Sequence, residues 1–204
     1  MLGKREVLFL GHPDGYLDEF PKNKLRGVYV EHIRQLMPQV LITFDPFAPF
    51  EEHPDHRHVA VAALEAVSFS QMPLYYPKQL DTGLTTHLVP ERYYFAKAPV
   101  HANKVVDITA FIDKKIEALC THESQMRMMI QDFKLSFQAT GRHPELAEGL
   151  DPDNFRPLLE MMIRAWAQST ARDESFEYGE AFRYDYPGEI VDRVSGARFL
   201  ATRR

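Results

Sequence analysis

The chain has 204 residues, of which 45% are hydrophobic and 26% are charged, which is typical of one globular domain with enough mass to bury a core. Its formal net charge is −5, and its Lys and Arg residues are scattered, so the composition disfavours nucleic acid and membrane surfaces as partners. A single cysteine, Cys120, cannot form an internal disulfide, so we expect a cytoplasmic protein. No apolar run approaches the roughly 20 residues that a membrane-spanning helix needs.

The first third of the chain has the pattern of an α/β sheet. Residues 7–10 form an apolar run that ends at a Gly/Pro turn, which predicts a buried parallel strand. A helical period over residues 25–36 is followed by a second apolar run, residues 40–44, that ends at Asp45-Pro46. The spacing of these runs predicts a right-handed crossover between parallel strands.

The later elements are less regular. The pattern predicts helices over residues 59–67, 109–119, 123–137 and 155–169, and strands at residues 92–96 and 104–107. Residues 141–154 are predicted to be an irregular Gly/Pro/Asp-rich connection. Residues 176–182 are ambiguous, and from residue 183 onward we expect an extended tail with a turn at Pro187-Gly188.

One polar cluster stands out, because residues 51–58 contain three histidines and three carboxylates. The cluster lies where a strand gives way to a helix, an edge at which ligands gather in parallel sheets. A hydrolytic zinc site needs three imidazole or carboxylate ligands and one open position. His53 and His56 are spaced so that one can bind a metal while the other faces the open position, with Asp55 orienting an imidazole. The alternative, in which Asp55 caps the helix and the histidines are solvated, is left open by the spacing.

Several further segments resemble one known family. Residues 2–15 resemble its segment "LGV-x-evhFLGyPDG", residues 38–46 resemble "rPdvVitfdP", and residues 53–57 match "HPDHr". Residues 106–109, 115–125 and 180–183 resemble "vDIT", "Ki-x-AL-x-x-H-x-SQ" and "EaFr". These matches are collinear, and together they resemble the PIG-L/LmbE-like N-acetylglucosaminyl deacetylase family.

The resemblance implies a Rossmann-like three-layer α/β fold with a mostly parallel sheet. It also implies a hydrolase that uses zinc, or another divalent metal, to remove the N-acetyl group from a GlcNAc-containing substrate. By position, His56 resembles the metal ligand, and His53 resembles the catalytic imidazole that stabilises the oxyanion or protonates the leaving amine. Asp55 resembles the residue that orients His53, and Asp14 resembles a position that binds sugar hydroxyls.

The chain departs from the family at its start, because the family's "PHPDDE" motif has no counterpart in this sequence. The nearest string, residues 12–15, has Gly15 where the ligand carboxylate would stand, so we interpret His12 as a replacement for an aromatic residue. We therefore expect residues 1–204 to be a single deacetylase domain that is N-terminally incomplete and lacks the first strands of the fold. Half of the metal site would be absent, so zinc would be weakly held or absent and activity impaired.

Two other functional classes remain as alternatives. The first is a non-catalytic sugar-binding or interaction remnant of the same fold, and the second, disfavoured by the order of the cluster, is an unrelated metallohydrolase of the His-x-His-x-Asp-His type. The partner expected for the deacetylase is a small-molecule N-acetyl sugar, with self-association into a homo-oligomer as a further expectation. We also expect the strands at residues 7–10 and 40–44 either to pair directly or to leave apolar side chains exposed.

Overall fold

The computed structural model describes Gly3 and residues 6–189. This part of the chain contains four strands: β1 (Val40–Phe44), β2 (Glu91–Phe95), β3 (Lys104–Asp107) and β4 (Gly179–Asp185). It also contains seven α-helices: α1 (Lys22–Leu36), α2 (Pro54–Phe69), α3 (Pro77–Asp81), α4 (Ile112–Cys120), α5 (Glu123–Thr140), α6 (Pro144–Gly149) and α7 (Arg156–Thr170). None of these helices is long and apolar enough to cross a membrane.

The four strands form one sheet in the order β1-β2-β4-β3. β1 and β2 are parallel, with Val40 opposite Glu91 and Phe44 opposite Phe95, and β4 runs antiparallel to β2. The predicted α/β class, with parallel strands joined through helices, is confirmed. The antiparallel β4 covers the segment that the sequence pattern left ambiguous and extends into the predicted tail, so the tail prediction is wrong for residues 183–185. The turn at Pro187-Gly188 is confirmed, and residues 190–204 lie outside the described residues.

The chain divides into two compact units. The first comprises residues 9–104 and the described residues from Ala181 onward, and the second comprises residues 105–180 and the described N-terminal residues up to Leu8. The interpretation of residues 1–204 as a single deacetylase domain stays a prediction.

Helices α1 and α2 pack together to form the core of the first unit. Val30 and Ile33 of α1 meet Ala66 and Val67 of α2, and all four are buried. A second cluster joins Leu25, Ala62 and Leu17. Alanines on α2 allow the two helices to approach closely, which holds the start of α2 beside the segment that contains Leu17.

A buried arginine closes the other end of this helix pair. Arg34 is 2% exposed, and its guanidinium donates hydrogen bonds to the carbonyl oxygens of Ser70, Met72, Tyr75 and Tyr76 and to the side chain of Gln79. The planar guanidinium has five N–H donors, so one side chain can donate to several backbone carbonyl groups of the turn that follows α2. This residue was not singled out by the sequence pattern.

The predicted strand at residues 7–10 is wrong, because the structure gives these residues no regular secondary structure. Their side chains are exposed, Phe9 by 91%. A strand needs a neighbour for its backbone hydrogen bonds, and none of the described strands pairs with this segment. The outer edge of β1 is likewise unpaired within the described sheet, and its Ile42 is 60% exposed. Direct pairing of the two segments is therefore wrong, whereas the alternative of exposed apolar side chains is confirmed.

The second unit is mainly helical. Its core contains Ile112 and Ile116 of α4, Ala167 of α7, and Tyr178. The predicted irregular connection at residues 141–154 is wrong over residues 144–149, which form α6, because Pro144 stands at the first helical turn, where its fixed φ favours a helix. The predicted helices at residues 109–119, 123–137 and 155–169 correspond to α4, α5 and α7.

Candidate functional site

The polar cluster lies at the first turn of α2, which follows β1 after a short loop. His53 is the N-cap of this helix, and its Nδ1 accepts a hydrogen bond from the backbone N–H of Asp55 at 3.3 Å. Pro54 occupies the first helical position, where no backbone N–H is needed. The local sequence therefore fixes both the start of the helix and the direction of the His53 ring.

Asp55 connects the helix to the segment that contains Asp14. Its Oδ2 accepts a hydrogen bond from the Gly15 N–H at 2.8 Å, and its Oδ1 accepts one from the Leu17 N–H at 2.9 Å. Gly15 has a φ of +82°, which a residue with a Cβ rarely adopts. Desolvation alone would raise the pKa of Asp55, but the two amide hydrogen bonds and the nearby histidines outweigh it and lower the pKa. An ionised Asp55 thus holds the turn at Asp14 in place.

The structure brings Asp14, His53 and Asp55 together, with one ligand-type atom from each lying within 4.8 Å of the others. Nε2 of His53 lies 3.7 Å from Oδ1 of Asp14. The Asp14 side chain is 92% exposed, and that of His53 is partly exposed. The group therefore presents carboxylate and imidazole atoms to solvent at one place.

His56 adjoins this group through its ring. It stacks on Phe44, the last residue of β1, with centroids 4.1 Å apart, and on His53, with centroids 4.5 Å apart. His53 and His56 therefore lie near the carboxyl end of β1, with Asp14 and Asp55 beside His53, and the roles assigned to these four residues stay predictions. His56 is not a member of the three-residue donor group, and its predicted role as a metal ligand stays a prediction.

Glu51 is a site residue to which the sequence analysis gave no role. Its side chain is 8% exposed, and its Oε1 lies 3.2 Å from Nδ1 of His56 and 3.1 Å from Nζ of Lys97. The same oxygen accepts a hydrogen bond from the His53 N–H at 3.1 Å. Desolvation would raise the pKa of Glu51, but these contacts outweigh it and lower the pKa. Its membership in the acidic and histidine-rich cluster was the signal in the sequence.

A buried ion pair fixes the chain where it leaves β1. Asp45 accepts a hydrogen bond from Nε of Arg183 at 3.0 Å, and also one from the Phe47 N–H. The Arg183 guanidinium lies 4.0 Å from the centroid of the Tyr94 ring. The ion pair ties β4 to the loop that leads into the site, a contact over 138 positions that spacing in the sequence could not reveal.

The later family-like segments meet in the second unit. Lys115 donates a hydrogen bond to Glu180 at 2.7 Å, and both residues line a groove of about 520 Å³ with Ile108, Leu119 and His122. Three separate stretches of the sequence thus contribute to one surface. His122, which the sequence analysis gave no catalytic role, is on its wall.

Comparisons with known proteins agree with these motifs. The family model for GlcNAc-PI de-N-acetylase (PIG-L) matches residues 1–67. Over 127 residues the chain is 35% identical to the diacetylchitobiose deacetylase of Thermococcus kodakarensis, covering 61% of this chain and 45% of that protein. It is 23% identical to a probable N-acetyl-α-D-glucosaminyl L-malate deacetylase of Bacillus anthracis, covering 68% and 57% of the two chains.

A solved structure is also similar. The N,N'-diacetylchitobiose deacetylase of Pyrococcus horikoshii, in complex with an inhibitor, superposes with a TM-score of 0.66 at 26% identity, covering 93% of this chain and 60% of that one. The chain therefore spans about half the length of the curated relatives it matches.

Proposed function

The chain belongs to the PIG-L/LmbE-like family of GlcNAc deacetylases, and we propose that its site serves to remove the N-acetyl group from a GlcNAc-containing substrate. One observation carries the proposal. Asp14, His53 and Asp55 gather at the start of α2, and His56 stacks beside them, in an α/β fold that the deacetylase of P. horikoshii shares.

The residues present fit a divalent metal in chemical type. Imidazole nitrogens and carboxylate oxygens are ligands that zinc uses. Following the resemblance, His56 would hold the metal, whereas the group of Asp14, His53 and Asp55 is the alternative set of ligands. A bound divalent metal would supply Lewis-acid activation for hydrolysis of the amide.

His53 has the arrangement of a proton donor. Its Nδ1 accepts from the Asp55 N–H, so in the neutral ring the proton is on Nε2. Nε2 lies on the side of Asp14, 3.7 Å from that carboxylate. An N–H at this place can donate a hydrogen bond to the carbonyl oxygen of the acetyl group in the transition state, whereas protonation of the departing amine requires the imidazolium form of the ring.

Asp14 and Asp55 have different proposed roles. Asp14 is exposed, and its carboxylate can accept hydrogen bonds from sugar hydroxyls. Asp55 orients the His53 ring through its backbone N–H, while its carboxylate holds the turn that carries Asp14. The substrate-binding and catalytic groups are thereby connected through one residue.

The experiment is a measurement of acetate release from N,N'-diacetylchitobiose by proton NMR, with zinc added. We expect slow, zinc-dependent release that falls roughly 10²- to 10⁴-fold in the variant His53→Ala, because a general acid contributes that much. His101→Ala, at an exposed position, is the matched control and should leave the rate unchanged. Sugar binding without any release of acetate would instead favour the non-catalytic sugar-binding alternative.

The location and the assembly state belong to the same proposal. A cytoplasmic location, inferred from the lone Cys120, and a homo-oligomer both stay predictions. Sedimentation of the purified chain would measure the second of them.

A further inference from the structure

We propose that Glu51 is a positioning residue that fixes the tautomer of His56, with the proton on Nδ1 and the lone pair on Nε2. The use of that lone pair, as a ligand to a metal, rests on the proposed function. The tautomer itself follows from contacts within the chain.

The two ring nitrogens of His56 have different surroundings. Its Nδ1 is buried from solvent and lies 3.2 Å from Oε1 of Glu51. No described residue gives this nitrogen a partner in regular hydrogen-bond geometry, so the Glu51 carboxylate is the polar group that acts on it. Nε2 is therefore the nitrogen left for an external ligand.

The negative charge of the Glu51 carboxylate faces Nδ1 of His56. Oε1 of Glu51 also contacts the His53 N–H and the Lys97 ammonium, both of which are donors. A carboxylate oxygen surrounded by donors is an acceptor, and a lone pair on Nδ1 would be repelled by it. A proton on Nδ1 removes that repulsion.

The His56 ring stacks against two other rings. Phe44 lies on one side with an interplanar angle of 16°, and His53 lies at an angle of 19°. The two stacks therefore fix the plane of the ring. A half-turn of the ring would keep this plane but would place a carbon instead of Nδ1 beside the Glu51 carboxylate, so that carboxylate favours the observed edge.

His53 shows the opposite arrangement one helical turn away. Its Nδ1 faces a donor, the Asp55 N–H, instead of a carboxylate. The two stacked imidazoles are thus placed in opposite tautomers, His53 with N–H at Nε2 and His56 with a lone pair at Nε2. One sequence motif thereby supplies a proton donor and a ligand nitrogen, and Glu51 is the residue that makes them differ.

The experiment is nitrogen-15 NMR of the histidine rings in the metal-free chain at about pH 8.5, above the usual pKa of an imidazole. In the wild type we expect His56 to have a protonated Nδ1 and an unprotonated Nε2. In Glu51→Ala the acceptor beside Nδ1 is removed, so the fraction of His56 with N–H at Nε2 should rise severalfold. His53 should keep its tautomer, and Glu52→Ala, at an exposed neighbouring position, should change neither ring.

Several results would overturn the proposal. They are a wild-type His56 with its proton on Nε2, an unchanged His56 tautomer in Glu51→Ala, or an equal change at His53, which would indicate general distortion. The wild-type spectrum decides the question even where Glu51→Ala fails to fold.

A zinc titration of the same samples separates this proposal from the proposed function. Loss of a carboxylate partner of a ligand imidazole should raise the zinc dissociation constant about 10- to 100-fold. A zinc affinity unaffected by His56→Ala would contradict the metal assignment, whereas the tautomer result in metal-free protein would still decide the role of Glu51.

Discussion

The two ends of α2 use polar side chains in opposite ways. At its carboxyl end, Arg34 is buried and its guanidinium is satisfied by five acceptors in the turn that follows the helix. At its amino end, Asp14 is 92% exposed, and its carboxylate and Nε2 of the partly exposed His53 lie 3.7 Å apart. Satisfied buried groups stabilise one structure, whereas open groups are available to a ligand. The difference indicates that stability and chemistry are separated along one helix.

The largest effect is expected from removing Arg34. Arg34→Ala would leave one buried and several partly buried acceptors without a donor, and the free energy of unfolding should fall by roughly 3 kcal/mol. Arg34→Lys should recover little of the lost stability, because one ammonium cannot donate to all of the acceptors that surround the planar guanidinium. Chemical denaturation measures both, and Arg142→Ala, at an exposed position, should change stability by less than roughly 0.5 kcal/mol. An equally small loss of stability in Arg34→Ala would contradict the stabilising role assigned to Arg34.

A smaller effect is expected at Gly27 on α1, which packs against the same turn. A Cβ at this position would lie 2.8 Å from Cε1 of Tyr76, and the Tyr76 hydroxyl is held by hydrogen bonds with Asn23 and Arg26. Gly27→Ala should therefore destabilise the chain by roughly 1–2 kcal/mol, despite the better helix propensity of alanine. The control is Gly149→Ala, where a Cβ meets nothing within 4 Å. Thermal unfolding that ranked these two variants in the reverse order would show that the Tyr76 ring is free to move.

The smallest effect is expected from the ionisation of Glu65 on α2. Desolvation would raise the pKa of Glu65 on α2, but hydrogen bonds from Lys22 and Arg26 outweigh it and lower the pKa below the usual 4.5. A lowered folded-state pKa means that the ionised Glu65 stabilises the fold above pH 4.5, and that this contribution is lost as the pH falls through the lowered value.

Glu65→Gln should accordingly cost roughly 0.5–1 kcal/mol at neutral pH, and the cost should disappear in acid. Glu31→Gln, at an exposed position on α1, is the matched control. Urea denaturation at several pH values gives the measurement, and a difference that is independent of pH would contradict the assigned ion pairs.

Sequence reasoning could identify the parts of the site that are local. The strand Val40–Phe44 follows from an apolar run, and His53 with His56 follow from the cluster, whereas the helix predicted over residues 59–67 begins earlier, at Pro54. It could not place contacts between distant segments. The hydrogen bonds of Asp55 with the Gly15 and Leu17 amides join residues that are 40 and 38 positions apart. The hydrogen bonds of Arg34 with the turn after α2 have no periodic signal in the sequence. The strand predicted at residues 7–10 is wrong because a strand requires a pairing neighbour, and none of the described strands pairs with this segment, whose apolar side chains are exposed.

The most direct test of the account is a calorimetric zinc titration of chelator-treated chain, comparing the wild type with His56→Ala. A single ligand imidazole, His56, holds zinc weakly, so we expect no retained zinc, weak binding with a dissociation constant above roughly 1 µM, and loss of that binding in His56→Ala but not in His101→Ala. One tightly held zinc per chain would contradict the expected weak binding, and zinc binding that His56→Ala leaves unchanged would contradict the assignment of His56 as the metal ligand.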